Sequence, residues 1–222
     1  MNLNSGRITN PHLQFFIVIH KKIIKFVFMN LTLLEQTYAA IDAANSKDPN
    51  LEVINDKKVP KELIYGQRMT EMLGIYNPNA SIALKIAARA QHICRWESPR
   101  SNYEMNRKGY LLWRSELKKF HAEKTAEIMT GIGYDKETIE QVSFLLQKKQ
   151  LKRNEETQCL EDVICLVFLK YYYEAFHLKH GDEKVIDIVQ KTWKKMSTTG
   201  HEAALQIVYS DKGLSLIQQA LA

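Results

Sequence analysis

Glycine, proline and cysteine are scarce in this chain of 222 residues. Nine glycines and five prolines are about half the usual share of a globular protein, which indicates long helices and few tight turns. The three cysteines are odd in number and lie inside apolar runs without paired spacing, as Cys94, Cys159 and Cys165. This pattern disfavours a disulfide framework and predicts a reduced, cytoplasmic protein.

Familiar catalytic and nucleotide-binding motifs are also missing. The chain has no GxGxxG, no GxxxxGK[ST], no HExxH, no GxSxG and no CxxC. These absences leave no strong single motif from which to read a function. Any site must therefore be recognised from polar residues that stand where a packed helix would favour apolar ones.

The composition suits one folded domain. Apolar residues make up 45% of the chain and charged residues 25%, which excludes disordered and low-complexity classes. The formal net charge is +6, but residues 1–28 hold four basic residues and no acid. The rest of the chain is close to neutral, so the total charge is weak evidence for nucleic-acid binding.

Residues 1–28 differ from the body of the chain. Their longest apolar run, residues 15–19, is far shorter than a membrane span and ends in HKK. We expect no membrane partner; a basic helix at a membrane surface is an alternative. The sequence starts again at Met29-Asn30-Leu31 with a well-patterned helix. We therefore interpret residues 1–28 as a tail, translated upstream of the true start or disordered, and residues 29–222 as one domain.

Helical periodicity dominates residues 29–222. The spacing of apolar residues predicts helices from Leu33, from Pro60, from a Ser81 cap, over 110–131 and from an Asp135 cap. It predicts a central buried helix over 160–180, and three shorter helices follow. Residues 45–60 are interpreted as a loop, and the predicted fold class is all-α.

Three polar groups stand out within these helices. The first is His92, on the predicted helix that ends at Pro99, where Arg89 and Arg95 share its face. The second is His121, followed by Glu123. The third is the pair Glu161 and Asp162, which opens the most apolar helix. Each has a simple structural alternative: a hydrogen-bonded core histidine, a surface histidine and a capping pair of acids.

The three groups together resemble a known family. The segments AARAQH at 87–92, RWExPR at 95–100 and LED at 160–162 are similar to the domain-of-unknown-function family DUF4202, and so are YGQRM at 65–69 and KTWKKMS at 191–197. The likeness runs from about residue 33 to 205. A wider resemblance to HD-domain hydrolases implies a single-domain HD-like helical bundle that holds one or two metal ions.

This chain departs from the HD pattern. The paired His-Asp is His92 followed by Ile93, and the first histidine falls near Tyr65. The resemblance then leaves at most His92, His121 and one of Glu161 or Asp162, with Asp162 as the chosen acid, as ligands of one divalent metal ion, Zn²⁺, Mn²⁺ or Fe²⁺. A metal-free acid/base site on the same residues is the alternative. Proton transfer falls to Glu123, Glu161 or Asp162, and the arginines form cationic forks for an anionic substrate.

The DUF4202 resemblance implies an activity as well. The family is associated with tRNA modification, namely removal of glutamate from glutamyl-queuosine in the anticodon. The implied partner is tRNA, and the implied enzyme is a hydrolase that cleaves the glutamyl ester with activated water. The candidate substrate-binding residues are Tyr65, Arg68, Arg89, Arg95, Trp96, Arg100, Tyr103, Lys149 and Lys152. The alternatives are an HD-type nucleotide phosphohydrolase and a non-catalytic HD-like binding module.

Overall fold

The computed structural model describes residues 32–222, so the predicted tail 1–28 and the restart at Met29 lie outside the described residues. The described chain forms ten α-helices and one two-stranded hairpin. The helices are α1 Leu33–Asn45, α2 Lys61–Tyr76, α3 Ile82–Arg89, α4 Arg107–Ile132, α5 Lys136–Leu146, α6 Glu155–Val167, α7 Tyr173–His177, α8 Asp182–Trp193, α9 Thr198–Leu205 and α10 Asp211–Leu221. The predicted all-α class is confirmed.

Side-chain caps fix most helix starts. Ser81 accepts a hydrogen bond from the amide of Leu84 at the start of α3, and Asp135 accepts one from Thr138 at the start of α5. Both caps were predicted, and each satisfies an amide that the helix cannot pair itself. Gly133 ends α4 in a left-handed conformation, φ 102°, which glycine adopts without strain.

The segment predicted as a loop contains a β-hairpin, and this part of the prediction is wrong. Strands β1 Leu51–Ile54 and β2 Lys57–Pro60 pair antiparallel, with Ile54 opposite Lys57. Asn55 and Asp56 form the connection and both have positive φ, as a two-residue hairpin turn requires. Pro60 ends β2 and precedes the first residue of α2, so the hairpin sets the position of that helix.

Helix α6 lies at the centre of the fold. It packs on α2, α3 and α9, while α4 packs on α1 and α5. Leu160, Val163 and Leu166 of α6 are at most 1% exposed. The C-terminal helices α8 and α10 pack on one another. The polar spaces described below lie between α6 and the elements around it.

Two predicted helices are shorter than expected. Helix α3 ends at Arg89, and residues 90–94 are turns that lead into a 3₁₀ turn, Arg95–Glu97. The chain leaves the helix at Ala90, and the turn that follows ends at Cys94, which has a positive φ of 50°. The predicted helix over 160–180 is interrupted by a π-turn, Phe168–Tyr172, and continues as α7.

None of the helices described within residues 32–222 is both long enough and apolar enough to cross a membrane. The three cysteines, all within this range, are free.

Candidate functional site

A polar cavity of about 370 Å³ lies where the start of α2, the turn after α3 and helices α4, α6 and α8 meet. Its polar lining includes five cations and two acids. The charged and polar residues lining it are Lys61, Glu62, Tyr65, Gln91, His92, Arg95, Arg114, Lys148, Glu161, Tyr172, Thr192 and Lys195. We refer to this space as the main cavity.

Glu62, His92 and Arg95 form a connected chain of side chains at one wall of the main cavity. Glu62 Oε2 lies 3.2 Å from His92 Nδ1, and Arg95 Nη1 donates to His92 Nε2 at 2.7 Å. Because a guanidinium can only donate, Nε2 must be the unprotonated nitrogen, so Nδ1 carries the proton and donates to Glu62. The His92 ring also stacks on Tyr65, with 4.0 Å between centroids.

Buried side chains hold this wall in place. Asn45, 1% exposed, donates to the carbonyl of Glu62 at 3.3 Å and accepts from the amide of Cys94 at 3.0 Å. Asp48 accepts from the amide of Glu62 at 3.0 Å and so satisfies the first turn of α2. One asparagine therefore ties the start of α2 to the turn that carries His92.

Burial changes the protonation of this chain. Burial raises the pKa of Glu62 to about 7, although Arg95 and Lys61 oppose the change. Burial, with Arg95 and His121 next, holds the pKa of His92 well below its usual value. At neutral pH the imidazole is neutral and Glu62 is close to half-ionised. A carboxyl group with this pKa can both take up and return a proton.

The main cavity also carries a second charged pair. Lys148 Nζ lies 2.5 Å from Glu161 Oε2, and their side chains are 12% and 5% exposed. Burial lowers the pKa of Lys148, and Glu161 opposes that change. Lys148 lies in a loop where Lys148, Gln150 and Lys152 all have positive φ. This conformation is rare for residues other than glycine.

His121 lies behind His92 on α4. It is 2% exposed, and the two imidazole centroids are 5.9 Å apart. Burial, with Arg95 next, lowers the pKa of His121 to about 3, so this ring is neutral at pH 7. The structure thus brings His92 and His121 together, and Glu161 lies with His92 in the lining of the main cavity, which His121 does not line.

Asp162 does not join them. It lies on a different face of α6, in a separate polar pocket with Tyr76 and Ser197. Its Oδ1 accepts from Gln158 and from the amide of Ser197, and its Oδ2 accepts from the hydroxyls of Tyr76 and Ser197. Four donors leave this carboxylate fully engaged in connecting α6 to the start of α9. The structure therefore corrects its predicted place beside His92 and His121.

Of the four predicted arginines, one lines the main cavity and three form hydrogen bonds elsewhere. Arg95 lines the main cavity, and its guanidinium lies 5.2 Å from the Trp113 ring centroid. Arg68, Arg89 and Arg100 do not line it. Arg68 pairs with Glu52 at 2.6 Å, Arg89 pairs with Asp42 at 2.5 Å, and Arg100 donates to the carbonyls of Tyr103, Glu104 and Asn106.

Most of the remaining predicted residues also lie away from the main cavity. Tyr65 lines it, whereas Glu123 is exposed on α4 outside it. Trp96 packs partly buried against the core, and the Tyr103 hydroxyl donates to Glu116 at 2.7 Å. The other two, Lys149 and Lys152, are exposed on the loop that carries Lys148.

The predicted metal ligands do not fit a divalent cation. Asp162 is held elsewhere, and both ring nitrogens of His92 are engaged by Glu62 and Arg95. Within residues 32–222 no group of three or more His, Cys, Asp or Glu side chains is arranged to hold a metal ion. The cationic lining of the main cavity favours an anion instead.

Five charged residues of the main cavity were not among the candidate site residues, namely Lys61, Glu62, Arg114, Lys148 and Lys195. Glu62 follows Pro60 in a helix start, where an acid is usually explained by the helix dipole. Arg114, Lys148 and Lys195 lie in amphipathic or basic stretches that are typical of solvated surfaces. The sequence offered one clue to these residues: Glu62 stands three residues before the YGQRM segment that resembles the family.

Fold and site together define an all-α domain with a buried, cation-lined polar cavity. A family model, described as a domain of unknown function (DUF4202), matches residues 35–217. The chain belongs to this family. Comparison with curated proteins and with solved structures gave no match.

Proposed function

We propose that this protein is a cytoplasmic hydrolase that removes glutamate from glutamyl-queuosine in tRNA, using water activated by Glu62 and no metal ion. The observation that carries the proposal is the combination, in one cavity, of a carboxyl group with a pKa of about 7 and a surplus of cations. The resemblance of the sequence to a family associated with this modification supplies the substrate.

Each part of the cavity has a counterpart in a glutamyl ester. The esterified glutamate keeps one carboxylate and one ammonium group. Arg95, Arg114 and Lys195 offer donors for the carboxylate, and Glu161 offers an acceptor for the ammonium group. The volume of about 370 Å³ is at the lower end of the range typical of small-ligand sites.

Glu62 provides the proton transfer. In the ionised form it takes a proton from water as the water oxygen attacks the ester carbonyl. The tetrahedral intermediate carries a negative oxygen that Arg95, 2.7 Å from His92 Nε2, can stabilise. Glu62 then returns the proton to the leaving hydroxyl of the queuosine ring. The products are glutamate and queuosine-containing tRNA.

His92 has a positioning role in this scheme. Its Nδ1–H donates to Glu62, which orients the carboxylate, and its Nε2 accepts from Arg95. Tyr65 stacks on the ring and restricts its rotation. One neutral imidazole therefore holds both the base and the oxyanion-stabilising cation at fixed positions.

A basic surface supports RNA as the partner. Lys195 lines the main cavity. Further exposed basic residues lie in the loop before α6, at Lys149, Lys152 and Arg153, and at the end of α8, at Lys191 and Lys194. RNA phosphates would contact these side chains while the modified base enters the cavity. Binding through such contacts weakens as salt is raised.

Release of glutamate from tRNA that carries glutamyl-queuosine tests the proposal. We expect release by the wild-type protein in the presence of a metal chelator, with nucleoside mass spectrometry showing glutamyl-queuosine converted to queuosine. tRNA charged with glutamate at its 3′ end is the specificity control. No release from either tRNA would reject the proposal, and loss of release with the chelator would reject its metal-free form.

A nucleotide phosphohydrolase is the second candidate, because a cation-lined cavity also suits phosphate. The same preparation incubated with nucleoside triphosphates and monophosphates separates the two. Phosphate release without glutamate release would favour this candidate. Binding of modified tRNA with neither reaction would favour the non-catalytic module.

A further inference from the structure

A small chamber adjoins the main cavity. Its volume is about 10 Å³, and five residues line both spaces, namely Gln91, His92, Arg95, Arg114 and Lys148. The chamber therefore lies directly behind the wall that carries His92. A space of this size accommodates one oxygen-sized group.

All the charged residues that line the chamber are basic. Arg95, Arg114, Lys118 and Lys148 line it, and none of its lining residues is acidic. Both acids of the main cavity, Glu62 and Glu161, lie outside this lining. The chamber is thus more positive than the cavity from which it is reached.

Two buried side chains of the chamber each have one polar atom without a hydrogen-bond partner. In residues 32–222 only four buried side-chain nitrogen or oxygen atoms lack a partner, and Gln91 Oε1 and His121 Nε2 are two of them. Gln91 is 5% exposed and His121 is 2% exposed. Unpaired polar atoms are costly to bury, and two in one small polar space point to a ligand that pairs with them.

We propose that the chamber is a carboxylate subsite, in which one oxygen of a ligand carboxylate accepts hydrogen bonds from Gln91 and His121. Half a turn of the Gln91 carboxamide presents its Nε2–H to the oxygen, and the two orientations are sterically equivalent. The neutral His121 ring donates from Nε2–H in one of its tautomers. The surrounding cations balance the charge of the carboxylate.

This inference rests on the proposed function for the identity of the ligand, which is the side-chain carboxylate of the glutamyl group. With that group in the chamber, the ammonium group and the ester bond lie toward Glu161 and Glu62 in the main cavity. The subsite then selects glutamate against glutamine, whose side chain ends in an uncharged amide with no negative oxygen.

The experiment compares two small probes of equal chain length, glutarate and the uncharged pentanamide, by isothermal titration calorimetry. We expect glutarate to bind the wild-type protein at least tenfold more tightly. Gln91→Leu and His121→Phe should each weaken glutarate binding about tenfold and leave pentanamide binding unchanged. The matched control is Gln141→Leu, the same change at an exposed position of α5. Circular dichroism and thermal unfolding establish that each variant is folded.

Equal binding of glutarate and pentanamide, or unchanged glutarate binding in both folded variants, would overturn the inference. The outcomes separate it from the proposed function. Glutarate preference without glutamate release from tRNA would support the subsite and reject the hydrolase. Glutamate release that is insensitive to both substitutions would support the hydrolase and reject the subsite.

Discussion

Glu161 and Asp162 are neighbours on α6, yet their carboxylates face different polar spaces. Glu161 pairs with Lys148 at the main cavity, whereas Asp162 accepts four hydrogen bonds beside Tyr76 and Ser197. Successive residues of an α-helix differ in direction by about 100°, which is enough to separate them. One acid therefore belongs to the candidate site and the other to the connection between α6 and α9.

Asp162→Asn should destabilise the protein. Asparagine places an NH₂ group where Asp162 accepts hydrogen bonds, and we expect a loss of about 3 kcal/mol in the free energy of unfolding. Denaturant unfolding measures this. The matched control is Asp187→Asn, since Asp187 is an exposed residue paired only with Lys191, and its loss should stay below about 0.5 kcal/mol. Equal effects of the two substitutions would contradict the assignment.

Gly200→Ala should also destabilise the protein. A Cβ at Gly200 would lie 2.7 Å from Asp162 Oδ1, which is too close for either atom to remain in place. We expect a loss of about 1–3 kcal/mol. Gly74→Ala on α2 is the control, because a Cβ there meets nothing within 4 Å and alanine favours the helix. Thermal unfolding should therefore shift in opposite directions for the two variants.

Glu62→Gln should abolish most of the proposed release of glutamate. Glutamine keeps an oxygen to accept from His92 but cannot take a proton, and a lost general base costs roughly 10²–10⁴-fold in rate. In the wild-type protein, kcat/KM should rise with pH through an apparent pKa of about 7, as Glu62 ionises. A pH-independent wild-type rate, or an active Glu62→Gln variant, would remove Glu62 from the mechanism.

The same substitution should change how stability depends on pH. Because the pKa of Glu62 is raised from 4.5 to about 7 by folding, the folded state holds the proton more tightly than the unfolded state. Stability is then lost as pH rises from 4.5 to 7, by on the order of 3 kcal/mol. Glu62→Gln should remove this loss, and denaturant unfolding at pH 5 and pH 8 measures the difference from wild type.

His121 should make the protein less stable as pH falls, whereas Glu62 makes it less stable as pH rises. The pKa of His121 falls from 6.5 to about 3 on folding, so the unfolded state binds the proton first as pH is lowered. The contribution of neutral His121 to the free energy of unfolding is complete above pH 6.5. About 2 kcal/mol of this free energy should be lost when the pH is lowered to 5. The stability difference between wild type and His121→Phe, followed from pH 7.5 to pH 5, isolates this effect. A constant difference would contradict it.

Local signals in the sequence predicted the helices and several of their ends. Ser81, Asp135 and Gly133 act through hydrogen bonds and φ values within a few residues, so their roles can be read without the rest of the fold. The hairpin was missed because its strands have only four residues each, although Asn55-Asp56 is a suitable two-residue turn.

The site was only partly predictable for a different reason. The convergence of His92 and His121 was expected only from the family resemblance, because each histidine alone is equally well explained as a structural residue. The break after Arg89 is not visible in the sequence, because residues 90–93 contain no helix breaker and the left-handed conformation falls on Cys94. The raised pKa of Glu62 depends on burial by other elements, which no local pattern reports.

The π-turn at Phe168–Tyr172 has a consequence for the two ends of this long helical stretch. A π-turn accommodates one residue more than regular α-helix over the same rise. Deleting a single residue there would restore regular winding with little rotation of the residues beyond it. Tyr173 and His177, both buried among the C-terminal helices, would then keep their neighbours. The effect of the surplus residue is therefore confined to the π-turn itself, whose Phe168 and Tyr172 line the main cavity.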